Sequence, residues 1–339
     1  MQTLKLCSAF RSLASISKRA ALSDGQTLVY DHLVFATGGR PRQLSCAGAD
    51  HPRVHYFRNI ADVQAIRPHL QAGARLVLIG GGYIGLEIAA IASKLGLLVT
   101  VLEAMPALLA RVTCPEVAAF YQREHEQQGV DIRCGAMVDG IEGNAEQLRV
   151  ITRDGSTFDA DLVIAGIGLL PNVELALASG LICDDGILVD ELCRASMPGV
   201  YAAGDCTRHP SSVYGAMLRL ESVPNAIEQG KTVAATICGK SKPYRQVPWF
   251  WSDQYDIKLQ TAGLSRGHDQ VVLRGKQESR SFAAFYLRDG RLLAVDAINR
   301  PIEFTLSKAW IAERQHMTPE RLADETIAPK DLIVRPILA

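Results

Sequence analysis

No two cysteines of this chain stand close together. The eight lie at positions 7, 46, 114, 134, 183, 193, 206 and 238, and none forms a C-x-x-C or C-x-x-x-x-C pair. That argues against a redox dithiol of adjacent cysteines and against a zinc ribbon. Scattered single thiols suit a reducing compartment, so a cytoplasmic protein is expected. An excess of either charge is also missing: 36 basic residues balance 36 acidic ones, for a formal net charge of zero. A nucleic-acid binder would normally show a basic surplus. Long apolar runs are absent as well. Stretches such as LVIAGIGLL at 162–170 fall short of the about 20 residues that a membrane span needs. A soluble chain with no membrane and no nucleic-acid partner is expected. Its 339 residues suffice for two or three domains. There is no short-period repeat and no low-complexity segment. The first 23 residues contain no acid and are rich in Ser and Ala. That composition fits an organelle transit peptide, but we read it as chance.

What is present is a dinucleotide fingerprint. Residues 76–87 read LVLIGGGYIGLE, and a second apolar run, LLVTVLE, ends at Glu103. Strand, tight glycine turn, helix start and second strand ending in an acid is the order a dinucleotide needs. Gly80 permits the turn, Gly82 lets the backbone approach a pyrophosphate, and Gly85 lets helix pack on strand. The helix start offers free N–H groups and a positive dipole end to the phosphates. Glu103 can accept hydrogen bonds from a ribose 2′-hydroxyl and would repel a 2′-phosphate, with no arginine following it. NADH is therefore expected over NADPH.

Around this unit the chain divides further. TLVYDHLVFAT (27–37) is strand-like, RPRQLSCAGADHP (40–52) is a loop, and 60–71 is a short helix. The periodicity predicts a helix over 115–128, stopped by Gly129, then a short strand. A hairpin turns at Asp154-Gly155, and a buried strand ends in Gly166 and Gly168. Together these complete a nucleotide-binding domain over 72–184. VYAAGDC (200–206) is a strand ending in Gly-Asp, and 222–237 is a helix with Ser222 as N-cap and Pro224 in its first turn. Beyond about 244 aromatic residues crowd a strand-rich α+β segment, with a helix near 305–314.

Five segments carry a resemblance: ATGGRPR (36–42), LIGGGYIGLE (78–87), VYAAGDC (200–206), ESVPNAIEQGK (221–231) and PWFWSDQYDIKLQTAGLS (248–265). In this order they resemble the NADH-dependent, FAD-containing ferredoxin reductases of bacterial monooxygenase and dioxygenase systems, within the pyridine nucleotide-disulphide oxidoreductase superfamily. The resemblance implies an α/β fold of two interleaved Rossmann-like dinucleotide-binding domains plus a C-terminal α+β interface domain. The implied boundaries are 1–71 and 185–243 for the split FAD domain, 72–184 for the NAD domain and 244–339 for the interface domain. Thr37, Gly38 and Arg42 would lie on the FAD side. Asp205 would hydrogen-bond the ribityl chain, and Val223 would offer its backbone N–H to the flavin ring. Gly80, Gly82, Tyr83, Ile84, Gly85 and Glu103 would bind NADH. Glu87 and Gly168 would lie near the nicotinamide, and Trp251 near the flavin and the partner. Trp249 and Trp251 read equally well as core aromatics. The implied reaction takes hydride from NADH and passes single electrons to a 2Fe-2S ferredoxin, from a monomer or weak homodimer.

Two features depart from the family pattern. Relatives carry an earlier G-x-G-x-x-G unit for the ADP half of FAD, and none precedes residue 24 here, so the first dinucleotide-binding domain is expected to be incomplete. YGAML (214–218) stands where relatives often have an arginine and an aromatic. Two alternatives follow: a truncated NADH-binding remnant with little flavin affinity, or a related flavoprotein reducing a small oxidant. Exposed sheet surface would make the chain poorly soluble.

Overall fold

The computed structural model describes residues 10–14, 18–144 and 147–333. Most of the acid-free opening segment lies outside the described residues. The chain forms two compact units: residues up to Arg40 with Leu170–Phe250, and Pro41–Leu169 with Trp251–Ala339. It passes from the first to the second within strands Gly39–Pro41 and Trp249–Gln254.

In the first unit, strand Leu33–Phe35 runs parallel to Val200–Ala202, with Phe35 opposite Ala202. TLVYDHLVFAT is thus two strands, Thr27–Val29 and Leu33–Phe35, rather than one. A three-stranded sheet of Ile187–Leu188, Thr207–Ser211 and Ala216–Leu218 lies beside the pair in sequence. The two later strands left no clear periodic signal. Helix Val223–Ile237 begins as expected: the Ser222 side chain accepts from the Asn225 N–H, and Pro224 sits in the first turn. Phe35, Val200, Ala202, Ile187 and Cys206 form one apolar cluster. Tyr201, Ala203, Val233 and Tyr244 form another, under the helix.

The second unit is built on a parallel five-stranded sheet. Its strand order is Val54–Tyr56, Leu162–Ala165, Arg75–Ile79, Leu98–Glu103, Asp131–Cys134. Arg75–Ile79 is nearly continuous buried apolar chain, as a strand covered on both faces must be. Helix Tyr83–Lys94 buries Gly85, Leu86, Ala89, Ala90 and Ala92 on one stripe. Helix Pro115–Gln127 starts at a proline, whose missing N–H costs nothing there, and has Glu116 in its first turn. An antiparallel sheet of Val138–Gly143, Leu148–Thr152 and Thr157–Ala160 contains the hairpin at Asp154-Gly155.

The C-terminal segment of this unit is a five-stranded sheet, Trp249–Gln254, Ile257–Gly263, Arg291–Ile298, Ser281–Arg288, Gln270–Lys276 in that order. The helix read near 305–314 spans Pro301–Ala312, starting four residues earlier because Pro301 opens it, and a short helix, Pro319–Ala323, follows. This sheet shares a core with the parallel one: Ile257, Leu259, Phe282 and Tyr286 join Leu86, Val101, Phe120 and Tyr121 in one cluster. Phe120 and Phe282 meet edge to face at 5.1 Å. No helix among the described residues is long and apolar enough to cross a membrane.

Candidate functional site

The fingerprint loop of the second unit is closed by backbone contacts that only glycine permits. Gly80 has φ +111°, and a Cβ there would lie 2.4 Å from the Gly166 carbonyl oxygen. A Cβ at Gly85 would lie 2.2 Å from the Gly80 carbonyl oxygen, so helix and strand touch only because it is absent. Gly82 is different. It is the N-cap of helix Tyr83–Lys94, no side chain caps that helix, and a Cβ on Gly82 would meet nothing within 4 Å. The first-turn N–H groups of this helix have no side-chain cap, and a helix start of this kind suits a phosphate. Gly81, which the sequence pattern did not single out, is also confined: its Cβ would lie 2.5 Å from Leu108.

Glu103 is tied to this loop. One carboxylate oxygen accepts from the Gly81 N–H at 2.6 Å and the other from the Met105 N–H at 2.7 Å. Each oxygen keeps a second lone pair for a sugar hydroxyl. The fingerprint, its helix start and Glu103 thus form one half-open cradle, and these residues fit a dinucleotide. Ile84 is exposed at the first turn. Tyr83 turns the other way. Its ring packs on the core, and burial with the nearby Asp296 charge pushes its hydroxyl pKa well up.

Glu87 lies one turn further along, half-buried. Ser252 donates to its Oε1 at 2.6 Å. Burial raises its pKa, the Ser252 hydrogen bond lowers it, and Asp253 raises it. Strand Trp249–Gln254 alternates, so Ser252 and Gln254 are buried while Trp251 is 45 % exposed on the opposite side. Gly168 has φ +114°, and its carbonyl accepts from the Arg42 N–H at 2.8 Å, which brings those two predicted residues together. The Arg42 side chain is exposed.

In the first unit, Thr37-Gly38 and Asp205 leave the same ends of the paired strands Leu33–Phe35 and Val200–Ala202. The Ala203 N–H donates to the Phe35 carbonyl, which keeps the two loops in step. Asn172, missed by sequence reasoning, locks the first loop. Its carbonyl accepts from Thr37 Oγ1 at 2.6 Å, its side-chain amide donates to the Thr37 carbonyl at 2.9 Å, and its Oδ1 accepts from Arg40 at 2.7 Å. The Pro171-Asn172 pair at a strand end was its one sequence signal. Gln229 locks the second loop, accepting from the Gly204 N–H at 2.7 Å and from Thr207 Oγ1 at 2.9 Å. Its amide donates to His209, whose pKa burial lowers to about 4, so that ring is neutral. Gly204, next to Asp205 in the chain, would place a Cβ 3.5 Å from Ala226 in the first turn of helix Val223–Ile237. Val223 opens that helix and is 58 % exposed. A carboxylate beside an accessible helix start suits a ligand with both hydroxyls and a part that gains negative charge, as flavin nucleotides have. The residues present therefore fit the FAD side as well.

The family model "Pyridine nucleotide-disulphide oxidoreductase" matches residues 8–230, and "Reductase C-terminal" matches 249–333. The chain belongs to the pyridine nucleotide-disulphide oxidoreductase family. The resemblance carried by the five motifs is borne out, as is the mixed α/β fold. Putidaredoxin reductase CamA of Pseudomonas putida is 48% identical over 322 residues, covering 93% of this chain and 76% of the relative. The ferredoxin reductase subunit of a 5,5'-dehydrodivanillate O-demethylase from Sphingobium sp. is 41% identical over 313 residues, 91% of this chain and 76% of that one. The crystal structure of the covalent putidaredoxin reductase–putidaredoxin complex superposes with a TM-score of 0.92 at 46% identity, covering 96% of this chain and 79% of that chain.

Proposed function

We propose that the chain is an FAD-dependent oxidoreductase that takes hydride from NADH and delivers single electrons to a 2Fe-2S ferredoxin of an oxygenase system. The observation that carries this reading is Glu103 clasping the fingerprint loop, in a chain matched along both family domains. Gly80, Gly82, Ile84, Gly85 and the Tyr83 backbone hold the NADH pyrophosphate at the helix start. Glu103 accepts from the adenosine ribose, and its fixed charge rejects a 2′-phosphate, which selects NADH over NADPH. Glu87 and Gly168 flank the nicotinamide. Thr37, Gly38, Arg42 and Asp205 would hold FAD, and the Val223 N–H, at the positive end of its helix dipole, would stabilise negative charge on the flavin. When bound, FAD supplies the conversion from two-electron to one-electron transfer that side chains lack. Trp251 is exposed, and its assigned role is at the flavin or the partner. The scattered cysteines support the same reading. With no adjacent pair in the sequence, electrons leave for an external acceptor rather than a dithiol.

The domain assignment belongs to this proposal: 1–71 and 185–243 for FAD, 72–184 for NAD, and 244–339 for the interface with the ferredoxin. So do a cytoplasmic location and a monomer or weak homodimer. The visible spectrum of the purified full chain tests the cofactor roles. A flavin band that one equivalent of NADH bleaches without oxygen, and that equimolar NADPH bleaches far more slowly, is expected. A colourless protein, or equal bleaching by NADPH, contradicts the reading.

A further inference from the structure

Behind Glu87 runs a chain of buried hydrogen bonds that none of the dinucleotide motifs requires. Ser252 Oγ donates to Glu87 Oε1 at 2.6 Å. Gln254 Nε2 donates to Ser252 Oγ at 3.1 Å. Gln254 Oε1 is 2.8 Å from His125 Nε2, and His125 Nδ1 is 3.0 Å from the Tyr255 hydroxyl. Ser252, Gln254 and His125 are each 1 % exposed or less.

With Glu87 ionised, the donors take one order. Ser252 gives its single proton to the carboxylate and so accepts from the Gln254 amide nitrogen, which leaves the Gln254 oxygen facing His125 as an acceptor. His125 Nε2 therefore carries a proton. Burial lowers the His125 pKa, which keeps the ring neutral, so Nδ1 is bare and accepts from Tyr255. Every hydroxyl, amide and imidazole dipole then points the same way, from Tyr255 through His125, Gln254 and Ser252 to the Glu87 carboxylate. Bonds so aligned polarise one another and are strongest when the terminal acceptor is charged.

The far end is anchored with care. Tyr255 has φ +58°, a left-handed conformation that strains a bulky residue and that glycine or asparagine takes readily. A tyrosine stands there regardless, with its carbonyl held by Lys94 Nζ at 3.1 Å. The side chain, not the turn, accounts for the residue.

We propose that Tyr255, His125, Gln254 and Ser252 form a one-directional relay that positions Glu87 and holds it ionised, so that the pocket favours oxidised, cationic nicotinamide over the reduced, neutral ring. The four are positioning residues, acting through Glu87. The inference rests on the placement of Glu87 beside the nicotinamide proposed above. The other ionisable groups that sense Glu87 are Asp253 on the adjoining strand and Tyr121 on helix Pro115–Gln127, neither of them a cation. The relay is therefore the named interaction that opposes protonation of Glu87.

Two measurements on the full chain test this. Nitrogen NMR of His125 is expected to report a neutral ring protonated at Nε2 from pH 6 to 8; a ring protonated at Nδ1, or a charged one, overturns the relay without any variant. Calorimetric titration with NAD+ and with NADH tests its consequence. Ser252→Ala is expected to weaken NAD+ about tenfold at pH 7, the scale of a hydrogen bond to a charged group, with less than about twofold change for NADH. Ser252→Thr keeps the hydroxyl and should restore wild-type discrimination. Wild-type NAD+ affinity should fall as pH falls through the raised Glu87 pKa, and in Ser252→Ala that fall should begin at higher pH. Equal loss of both nucleotides in Ser252→Ala overturns the proposal, because a merely structural serine would act so. If Glu87→Gln changes neither affinity, the placement of Glu87 fails. If Glu87→Gln erases the discrimination and Ser252→Ala does not, the placement stands and the relay fails.

Discussion

Asp296 and Glu87 are two carboxylates of the same compact unit, and burial raises the pKa of both. Their surroundings differ in kind. Asp296 is 1 % exposed and accepts from three hydroxyls: Thr113 Oγ1 at 2.6 Å, Thr261 Oγ1 at 2.6 Å and Tyr286 at 2.5 Å. Tyr286 in turn accepts from the Cys114 N–H at the start of helix Pro115–Gln127. Asp296 thereby fastens the C-terminal sheet to the nucleotide-binding helices, and it is sealed from any ligand. Glu87 is half-buried and has a single donor relay on one oxygen. A carboxylate saturated with donors from several elements holds a structure together. One oriented from behind and open in front is available for recognition.

The largest effect that separates the two acids is in stability. Asp296→Ala removes the acceptor of the Thr261, Thr113 and Tyr286 hydroxyls, leaving the last two only each other, and is expected to lower the unfolding free energy by about 3 kcal/mol, whereas Glu87→Ala changes it by about 1 kcal/mol or less. Urea unfolding of the two variants against wild type measures both, and equal losses would erase the distinction. A third acid sharpens it from the ligand side. Glu103 is held by two backbone N–H groups, so its loss should cost binding rather than folding. Glu103→Ala is expected to weaken NADH by about tenfold, the scale of hydrogen bonds to a charged group, with the urea midpoint little changed.

The smallest effect lies in pH dependence. The folded pKa of Asp296 is raised above its unfolded value, so the folded state holds the proton more tightly. Its contribution to stability is complete below the unfolded pKa and is lost as pH rises through the folded one. Wild-type stability should therefore decline with rising pH across that window, and Asp296→Asn should flatten the decline. A slope unchanged in Asp296→Asn would mean that another group sets it.

The acids also mark where sequence reading reaches and where it stops. Glu103 and Glu87 were legible because they stand at fixed spacings from glycines of one local motif. So were the Ser222 cap and the Asp154-Gly155 hairpin, which depend on neighbours in the chain. Asp296 looked like one residue of a strand, LLAVDAI, because its partners are distant: Thr113 is 183 residues away. Ser252 lies 165 residues from Glu87, and Gln254 lies 129 from His125. Nothing in the spacing of a single sequence announces such pairs. The same holds for Asn172, which braces Thr37 from 135 residues away. The shared core of the parallel and C-terminal sheets escaped for a related reason, since periodicity gives the buried face of an element but not what covers it.

The most direct test of the account is the stoichiometry of electron transfer. The full chain with FAD should be mixed anaerobically with NADH and an excess of a 2Fe-2S ferredoxin, and both absorbances followed. The account predicts two ferredoxins reduced for each NADH oxidised, with NADPH a poor substitute. NADH consumed with no ferredoxin reduced would contradict it.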